Sequence, residues 1–316
     1  MAFYRRPSPL ELTYIAADTP SYSPYINQFC VEGTGDLDLP TLQATVTKVA
    51  SFFVEIRMVL KGHLKWRYWD DAGVQPRVYA VNASGWDGQS NIGAPVLGSP
   101  MNVRTGPVCE VVLLEGQPKR ILFRTHHACT DGSGTLYFMD AVFRLLRGET
   151  VEPPNSRKTE WDVVQQIGHQ EKQTKLGNAK PVFRNQTLPL DIGCIWKRIH
   201  FSGSASGITG KVMSVLADMA NTGGGERFLM RVPSDLRRYL DDGEFTASNC
   251  SSAFDLEPGA ERAPKKMQHM LINAMRNKQD IALIHPNARY LQWFPIRMLK
   301  TPEKLRKQIY DNNKFP

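Results

Sequence analysis

The stretch His126-His127-Ala128-Cys129-Thr130-Asp131-Gly132 decides how this 316-residue chain is interpreted. The residues before it, Arg120–Thr125, predict a β-strand, and those after it, Gly134–Arg147, predict an amphipathic helix. A strand, a polar loop and a helix in this order can hold an imidazole at the mouth of a pocket. The sequence therefore predicts a functional site at this loop.

The two histidines are expected to differ in role. Consecutive residues leaving a strand point to opposite sides, so only one of His126 and His127 can face a pocket and the other is buried as support. A neutral imidazole can take a proton from a hydroxyl, amine or thiol. Asp131 either orients an imidazole directly or pairs with a distant arginine. Gly132 and Gly134 allow a sharp turn and close approach of a ligand.

A metal site is the weaker interpretation of the same loop. Adjacent histidines on a strand diverge, and the sequence has no Cys-x-x-Cys or His-Glu-x-x-His pattern to complete a set of ligands. We therefore expect no metal at this site.

The His-His-x-x-x-Asp-Gly pattern resembles the signature of the chloramphenicol acetyltransferase-like superfamily, which includes peptide-synthetase condensation domains and acyl-CoA-dependent acyltransferases. Other segments resemble those of the family in the same order, and they are Val54–Arg57, Pro100–Pro107, Cys109–Glu115, and Val232–Arg237 followed by Asn249. The resemblance extends from about Pro9 to about Ile309. It implies an α/β, two-lobed chloramphenicol acetyltransferase-like fold of mixed sheets with flanking helices.

The resemblance also implies roles for single residues. His127 matches the general base of the family, with His126 as its support. Asp131 matches a structural acid that pairs with an arginine, and Arg57 occupies the matching position for that partner. An ordinary solvated arginine is the alternative for Arg57. Gly132 matches the residue that lets donor and acceptor approach the histidine.

Asn249, Ser133 and Cys129 are the residues expected at the substrate channel. Asn249 matches an asparagine of the second lobe, although a turn residue is an equal alternative. Cys129 could act as a nucleophile beside the imidazoles, but the family leaves this position variable, which favours a space-filling role.

The expected organisation has three parts. An N-terminal lobe at 1–150 carries the motif, a connection spans 151–192, and a C-terminal lobe spans 193–316. Family members usually continue through further strands, so we expect the second lobe to be incomplete and the chain to be shortened at its C-terminus.

The implied activity is acyl transfer from a coenzyme A or carrier-protein thioester to a small hydroxyl or amine acceptor. No cofactor is expected to stay bound, since the acyl-CoA or the phosphopantetheine-linked acyl group is a co-substrate. Secondary metabolism and lipid biosynthesis are the expected settings. The alternative is a non-catalytic condensation-like module that binds an acyl carrier protein or another partner.

Composition limits the partners and the location. The formal net charge of +8 suits an acyl carrier protein or the phosphates of coenzyme A, although a solvated basic surface is an alternative. No nucleic-acid-binding motif is present, so no nucleic-acid partner is expected. The apolar runs are too short for a membrane span. The 5 cysteines, an odd number, and the missing secretory signal favour the cytoplasm.

Periodicity predicts the remaining elements. Strands are expected at Tyr25–Glu32, at Cys194–Phe201 and in hairpins pairing 64–69 with 76–81 and 109–114 with 120–125. Helices are expected at Ser8–Ala17, Pro40–Phe52, Trp161–Lys175, Ile208–Asn221, Pro264–Arg276 and Thr301–Tyr310. In the helix from Ile208, the residues expected to point inward are Val212, Val215, Leu216 and Met219. The methionines after Pro264 are expected in the core, with an acyl channel as the alternative.

Overall fold

The computed structural model describes residues 3–18, 25–95, 99–170, 196–200, 202, 204, 206–222, 229–259 and 261–299. The strands in these residues are β1 Phe3–Arg5, β2 Ile26–Gly33, β3 Val59–Lys61, β4 Tyr68–Asp70, β5 Arg77–Asn82, β6 Cys109–Glu115, β7 Lys119–His126, β8 Met230–Asp235 and β9 Ser251–Leu256. The α-helices are α1 Pro9–Ala17, α2 Leu39–Ala50, α3 Gly132–Leu146, α4 Glu160–Ile167, α5 Ile208–Thr222, α6 Pro264–Arg276 and α7 Ile296–Leu299. Short 3-10 helices lie at Val54–Ile56, Leu64–Trp66, Leu236–Tyr239 and Pro286–Trp293.

A four-stranded sheet in the order β2-β7-β6-β5 carries the histidine motif. Strand β7 lies inside the sheet, antiparallel to both β2 and β6, while β5 and β6 are parallel. Nearly every residue of β6 and β7 is buried, because helices pack against one face and further side chains cover the other. The motif therefore leaves the sheet from a strand that its neighbours hold on both sides.

The remaining strands form smaller sheets and correct one predicted hairpin. A three-stranded sheet has the order β1-β4-β3, and β8 pairs with β9. The expected pairing of 64–69 with 76–81 was wrong, because β5 pairs with β6 and β4 pairs with β1 and β3. Leu64 adopts a left-handed φ of 51°, which starts the 3-10 helix and breaks the expected strand. The hairpin of β6 with β7 was predicted correctly.

Helix α3 begins directly at the motif. Asp131 is its N-cap, and the carboxylate accepts a hydrogen bond from the Gly134 amide at 2.8 Å, which satisfies one of the free amides of the first turn. The inner face, led by the fully buried Phe138, packs against α2 and the main sheet. A Cβ at Gly134 would overlap the Thr130 hydroxyl and the Ala247 carbonyl, so the helix and the loop around Ala247 approach as closely as a glycine allows.

Helix α1 also contributes to the site. Its N-terminus carries a capping box in which Ser8 and Glu11 exchange hydrogen bonds, with Pro9 in the first turn, as the sequence predicted. The helix buries Leu12 and Ile15 in a second apolar cluster. This packing leaves Tyr14 on the side that faces the histidine motif.

The inward face of α5 was predicted wrongly. Its buried residues are Gly210, Met213, Ser214, Ala217 and Ala220. The four residues expected inside are each about half exposed, and these are Val212, Val215, Leu216 and Met219. The small side chains let α5 approach α6 closely, so close packing outweighed side-chain hydrophobicity in choosing the face. On α6, Met267, Met270 and Met275 belong to the same cluster, as the core interpretation predicted.

Some predicted elements lie partly or wholly outside the described residues. The predicted helix at 301–310 is outside them, and so is the part of 161–175 beyond residue 170. Within 161–170 the helix ends at Ile167. Of the strand expected at 194–201, residues 196–200 are described, and Lys197 forms an isolated bridge with Ser90.

Two glycines of the motif give a matched test of this packing. Gly134→Ala is expected to lower the free energy of unfolding by roughly 1–3 kcal/mol, the usual cost of overpacking. A Cβ at Gly132 would meet only the Phe29 ring, at 3.8 Å, so Gly132→Ala is expected to leave stability unchanged. Urea unfolding of both variants measures the difference, and equal midpoints would contradict the packing.

Candidate active site

The two histidines diverge where β7 ends. His126 is 1% exposed. Its Nδ1 accepts a hydrogen bond from the Ala128 amide at 3.1 Å, which leaves the proton on Nε2, 3.2 Å from the Asp18 carboxylate. With both nitrogens engaged, this ring has no free lone pair. His126 is therefore the buried support that the sequence predicted.

His127 is partly exposed and lies among aromatic side chains. Its amide donates to the Tyr25 carbonyl at 2.9 Å, which continues the pairing of β2 with β7 by one residue. The Tyr14 ring lies 4.2 Å from the imidazole, centre to centre, and the Tyr25 ring lies 6.2 Å away. The imidazole is thus held between a main-chain anchor and an aromatic wall.

The orientation of the His127 ring is set by the main chain and by Asn249. A hydrogen bond between the ring and its own carbonyl group is among the causes that set the pKa of His127. The Asn249 amide nitrogen donates to that same carbonyl at 2.7 Å and lies a longer 3.4 Å from Nδ1. A ring protonated at Nδ1 fits this arrangement, and that tautomer leaves the lone pair of Nε2 available.

The lowered pKa of His127 gives it the uncharged state that a general base needs at neutral pH. Burial lowers the pKa of the imidazole below its usual value. The hydrogen bond to its own carbonyl and the charge of Asp131 act in the opposite direction and offset only part of the effect. The ring is consequently uncharged at neutral pH.

Asn249 is itself held on its other side. It is fully buried, and its side-chain oxygen accepts a hydrogen bond from the Ser251 hydroxyl at 2.9 Å. Burial raises the pKa of Tyr14, and Ser251 acts in the opposite direction. A chain of hydrogen bonds thus runs from Ser251 through Asn249 to the His127 carbonyl.

Asp131 pairs with Arg237, and the expectation that Arg57 fills this role was wrong. The two partners form a bidentate ion pair with distances of 2.9 Å and 3.0 Å. Arg57 instead contacts Asp71 at 2.7 Å. Asp131 also accepts from the Cys250 amide at 2.7 Å. The carboxylate therefore joins the motif to the segment that carries Asn249 and makes no hydrogen bond to an imidazole.

Arg237 extends this connection along the same segment. Its guanidinium donates to the Thr246 carbonyl at 2.9 Å and to the Ser248 carbonyl at 2.7 Å. Ser248 in turn donates to the buried Glu55 carboxylate at 3.0 Å. The backbone around Asn249 is thus fixed by one arginine and by a carboxylate from the first part of the chain.

The other predicted site residues have separate outcomes. Cys129 does not line a channel, because it is fully buried in the second apolar cluster, and burial raises the pKa of its thiol well above the usual value. This burial supports the space-filling interpretation. Ser133 lies partly exposed in the first turn of α3. Gly132 precedes it, and a Cβ there would make an ordinary van der Waals contact with the Phe29 ring at 3.8 Å. The channel role of Ser133 stays a prediction.

Residues that the sequence did not single out complete the site. Tyr14, Arg237, Ser251 and Glu55 all contact the motif or Asn249 directly or through one residue. For Arg237 the sequence contained an indication, since this residue ends the segment Val232–Arg237 that resembles the family. Glu55 had the same kind of indication, since it lies in the segment Val54–Arg57 that also resembles the family. Tyr14 had none, because its contact with His127 joins positions far apart in the chain.

Within the described residues, no group of three or more His, Cys, Asp or Glu side chains is placed to hold a metal ion. Over the same parts of the chain, no helix combines the length and the apolar character that crossing a membrane requires.

Comparison with solved structures identifies the fold. The starter condensation domain of rhizomide synthetase in complex with C8-CoA matches with a TM-score of 0.60 and 14% identity, over 96% of this chain and 76% of that one. The condensation domain of Monacolin K polyketide synthase matches with a TM-score of 0.58 and 11% identity, over 94% and 77%. The epimerization domain of the third module of tyrocidine synthetase B matches with a TM-score of 0.56 and 10% identity, over 96% and 78%.

These matches confirm the predicted fold class: the chain has the chloramphenicol acetyltransferase-like fold of condensation domains. No protein-family model matches the sequence, and no curated protein matches it. At such low identity, the likeness extends to the fold alone.

The ion pair of Asp131 can be tested against the pair of Arg57. Arg237→Ala is expected to cost about 3–5 kcal/mol of stability, because it leaves a buried carboxylate without its counter-ion. Arg57→Ala removes a more exposed pair and is expected to cost about 1 kcal/mol or less. Thermal and urea unfolding of both variants make the comparison, and a larger loss for Arg57→Ala would contradict the pairing.

Proposed function

We propose that this chain is an acyltransferase that moves an acyl group from a coenzyme A or carrier-bound thioester to a hydroxyl or amine acceptor. The observation that carries the proposal is the position of the His127 imidazole, which is partly exposed, lies 4.2 Å from the Tyr14 ring and has its main chain held by Tyr25 and Asn249. The complex of the rhizomide synthetase domain with C8-CoA supports an acyl-CoA donor for the same fold.

The chemistry follows from these positions. Nε2 of His127 removes the proton of the acceptor as its oxygen or nitrogen attacks the thioester carbonyl carbon. The C–S bond then breaks, and the thiolate takes the proton back from the imidazolium. Cys129, inside the motif, is buried, and burial raises the pKa of its thiol well above the usual value, so the thiol stays protonated. It is therefore unsuited to carry the acyl group, and direct transfer between two bound substrates is the route that fits.

The backbone at the start of α3 suits the approach of both substrates. Gly132 presents no side chain to the space beside it, and the nearest atom that a Cβ would meet is in the Phe29 ring at 3.8 Å. The first turn of α3 also has amides without helical partners, which can stabilise negative charge developing on the carbonyl oxygen. Gly132 and Ser133 are the residues that we place beside the reacting carbonyl.

His127→Ala tests the base directly. The variant should fold normally and should lose transfer by roughly 100- to 10,000-fold, the usual contribution of a general base. The assay follows thiol release from octanoyl-CoA in the presence of a panel of small alcohols and amines. His269→Ala, at an exposed position on α6, is the matched control and should keep wild-type rates.

Two results would contradict this assignment. Equal rates for His127→Ala and the wild type would remove His127 from the reaction. Binding of an acyl carrier protein by the wild type without any turnover would favour the non-catalytic module instead.

The pH dependence of kcat/KM provides a second test. A base must be unprotonated, and burial lowers the pKa of His127 from its usual value near 6.5. Activity is therefore expected to fall to half its maximum at a pH below 6.5, where the pH passes through the lowered pKa. An acid limb of the kcat/KM profile centred above pH 6.5 would show that burial does not determine the pKa of His127.

A further inference from the structure

A cluster of exposed aromatic side chains surrounds Lys65, away from the histidine motif. Trp66 is 68% exposed and Trp293 is 56% exposed. The Lys65 ammonium nitrogen lies 4.9 Å from the centre of the Trp66 ring and 4.4 Å from that of Trp293. Leu64 and Phe294, at 41% and 45% exposure, belong to the same two segments. These five residues form what we call the tryptophan face.

The turn that presents Trp66 is held in a costly conformation. Gly62 has a φ of 72°, and a Cβ there would overlap the Trp66 carbonyl. Leu64, a branched residue, has a left-handed φ of 51°. The buried Arg67 guanidinium donates a hydrogen bond to the Phe294 carbonyl and so joins the turn to the second segment. Surrounding structure thus enforces the protrusion of these side chains.

The second segment is anchored by its opposite side. Leu291, Ile296 and Leu299 pack against the apolar cluster that contains Leu12 and Ile15. The inward face of the Pro286–Trp293 helix and of α7 is therefore already satisfied. Trp293 and Phe294 remain exposed beside this packed face.

The two segments that form the tryptophan face carry charge of a single sign. The segments 58–69 and 281–299 contain no aspartate or glutamate. The cations of these two segments are Lys61, Lys65, Arg67, Arg289 and Arg297, and the guanidinium of Arg104 donates to the Gly62 carbonyl at 3.4 Å. Protruding indoles on segments that carry cations and no acidic residue complement an anionic surface that has an apolar layer beneath it.

We propose that the tryptophan face docks this protein onto an anionic phospholipid surface. Indole rings favour the headgroup layer, where an apolar body and a polar N–H are both satisfied. Lysine and arginine beside them contact lipid phosphates. An acidic protein is the competing occupant. Each of the two indoles has more than half of its surface exposed. A fluid headgroup layer can accommodate both rings, whereas a protein partner would need a preformed pocket for each.

Vesicle co-sedimentation tests the docking. The wild type should bind vesicles of phosphatidylcholine with about a third phosphatidylserine, bind pure phosphatidylcholine much more weakly, and dissociate at high salt. Binding should shift the tryptophan fluorescence to the blue. The double variant Trp66→Ala/Trp293→Ala should lose both the binding and the shift, with unchanged circular dichroism because both side chains are exposed.

Charge variants supply the matched control. Lys65→Glu changes the charge by two units and should weaken binding roughly 30-fold, since each charge near such a surface contributes about five-fold. Lys48→Glu makes the same change at an exposed position of α2 and should leave binding unchanged. A second control, Ile92→Ala, removes an apolar side chain that is 80% exposed elsewhere.

Several results would overturn the proposal. One is a wild-type protein that stays in the supernatant, and another is equal binding by the double tryptophan variant. Equal weakening by Lys48→Glu and Lys65→Glu would reduce the effect to overall charge. Binding of an acidic carrier protein through the same residues, without vesicle binding, would assign the face to a protein. None of these results depends on His127 or on acyl transfer.

Discussion

The ion pair between Asp131 and Arg237 is the contact on which the rest of the site depends. Both side chains are almost fully buried, and the pair joins the start of α3 to the segment 246–250. A buried pair contributes specificity of arrangement more surely than net stability, because desolvation opposes the attraction. Here the arrangement it specifies is the position of Asn249 relative to His127. A shift of that segment would release the carbonyl on which the imidazole is oriented.

The local features of the site could be predicted from sequence because they follow from local rules. Strand β7 and helix α3 have clear patterns of apolar residues, and Asp131 is a favourable N-cap. The opposite directions of His126 and His127 follow from strand geometry alone. These inferences need no knowledge of the rest of the chain.

The features that failed depend on contacts between distant positions. Arg57 and Arg237 are equally good partners by residue type, and only the fold places Arg237 beside Asp131. The face of α5 was wrong because Ala217 and Ala220 allow close packing with α6, which hydrophobicity does not reveal. The strand expected in the hairpin is interrupted at Leu64, where the backbone is left-handed. A leucine side chain does not indicate this conformation, so the sequence could not predict it.

The hydrogen bonds of Asp131 have a consequence for the acid–base cycle. Its two oxygens are fully occupied by a guanidinium and by main-chain amides. Within the described part of the chain, no carboxylate is hydrogen-bonded to the His127 ring. An imidazolium formed there would lack the touching counter-ion that sustains a long-lived charged intermediate in serine-protease-type relays. This imidazolium should be short-lived. It therefore favours a cycle in which the proton moves from the acceptor to His127 and then to the thiolate while both substrates remain bound.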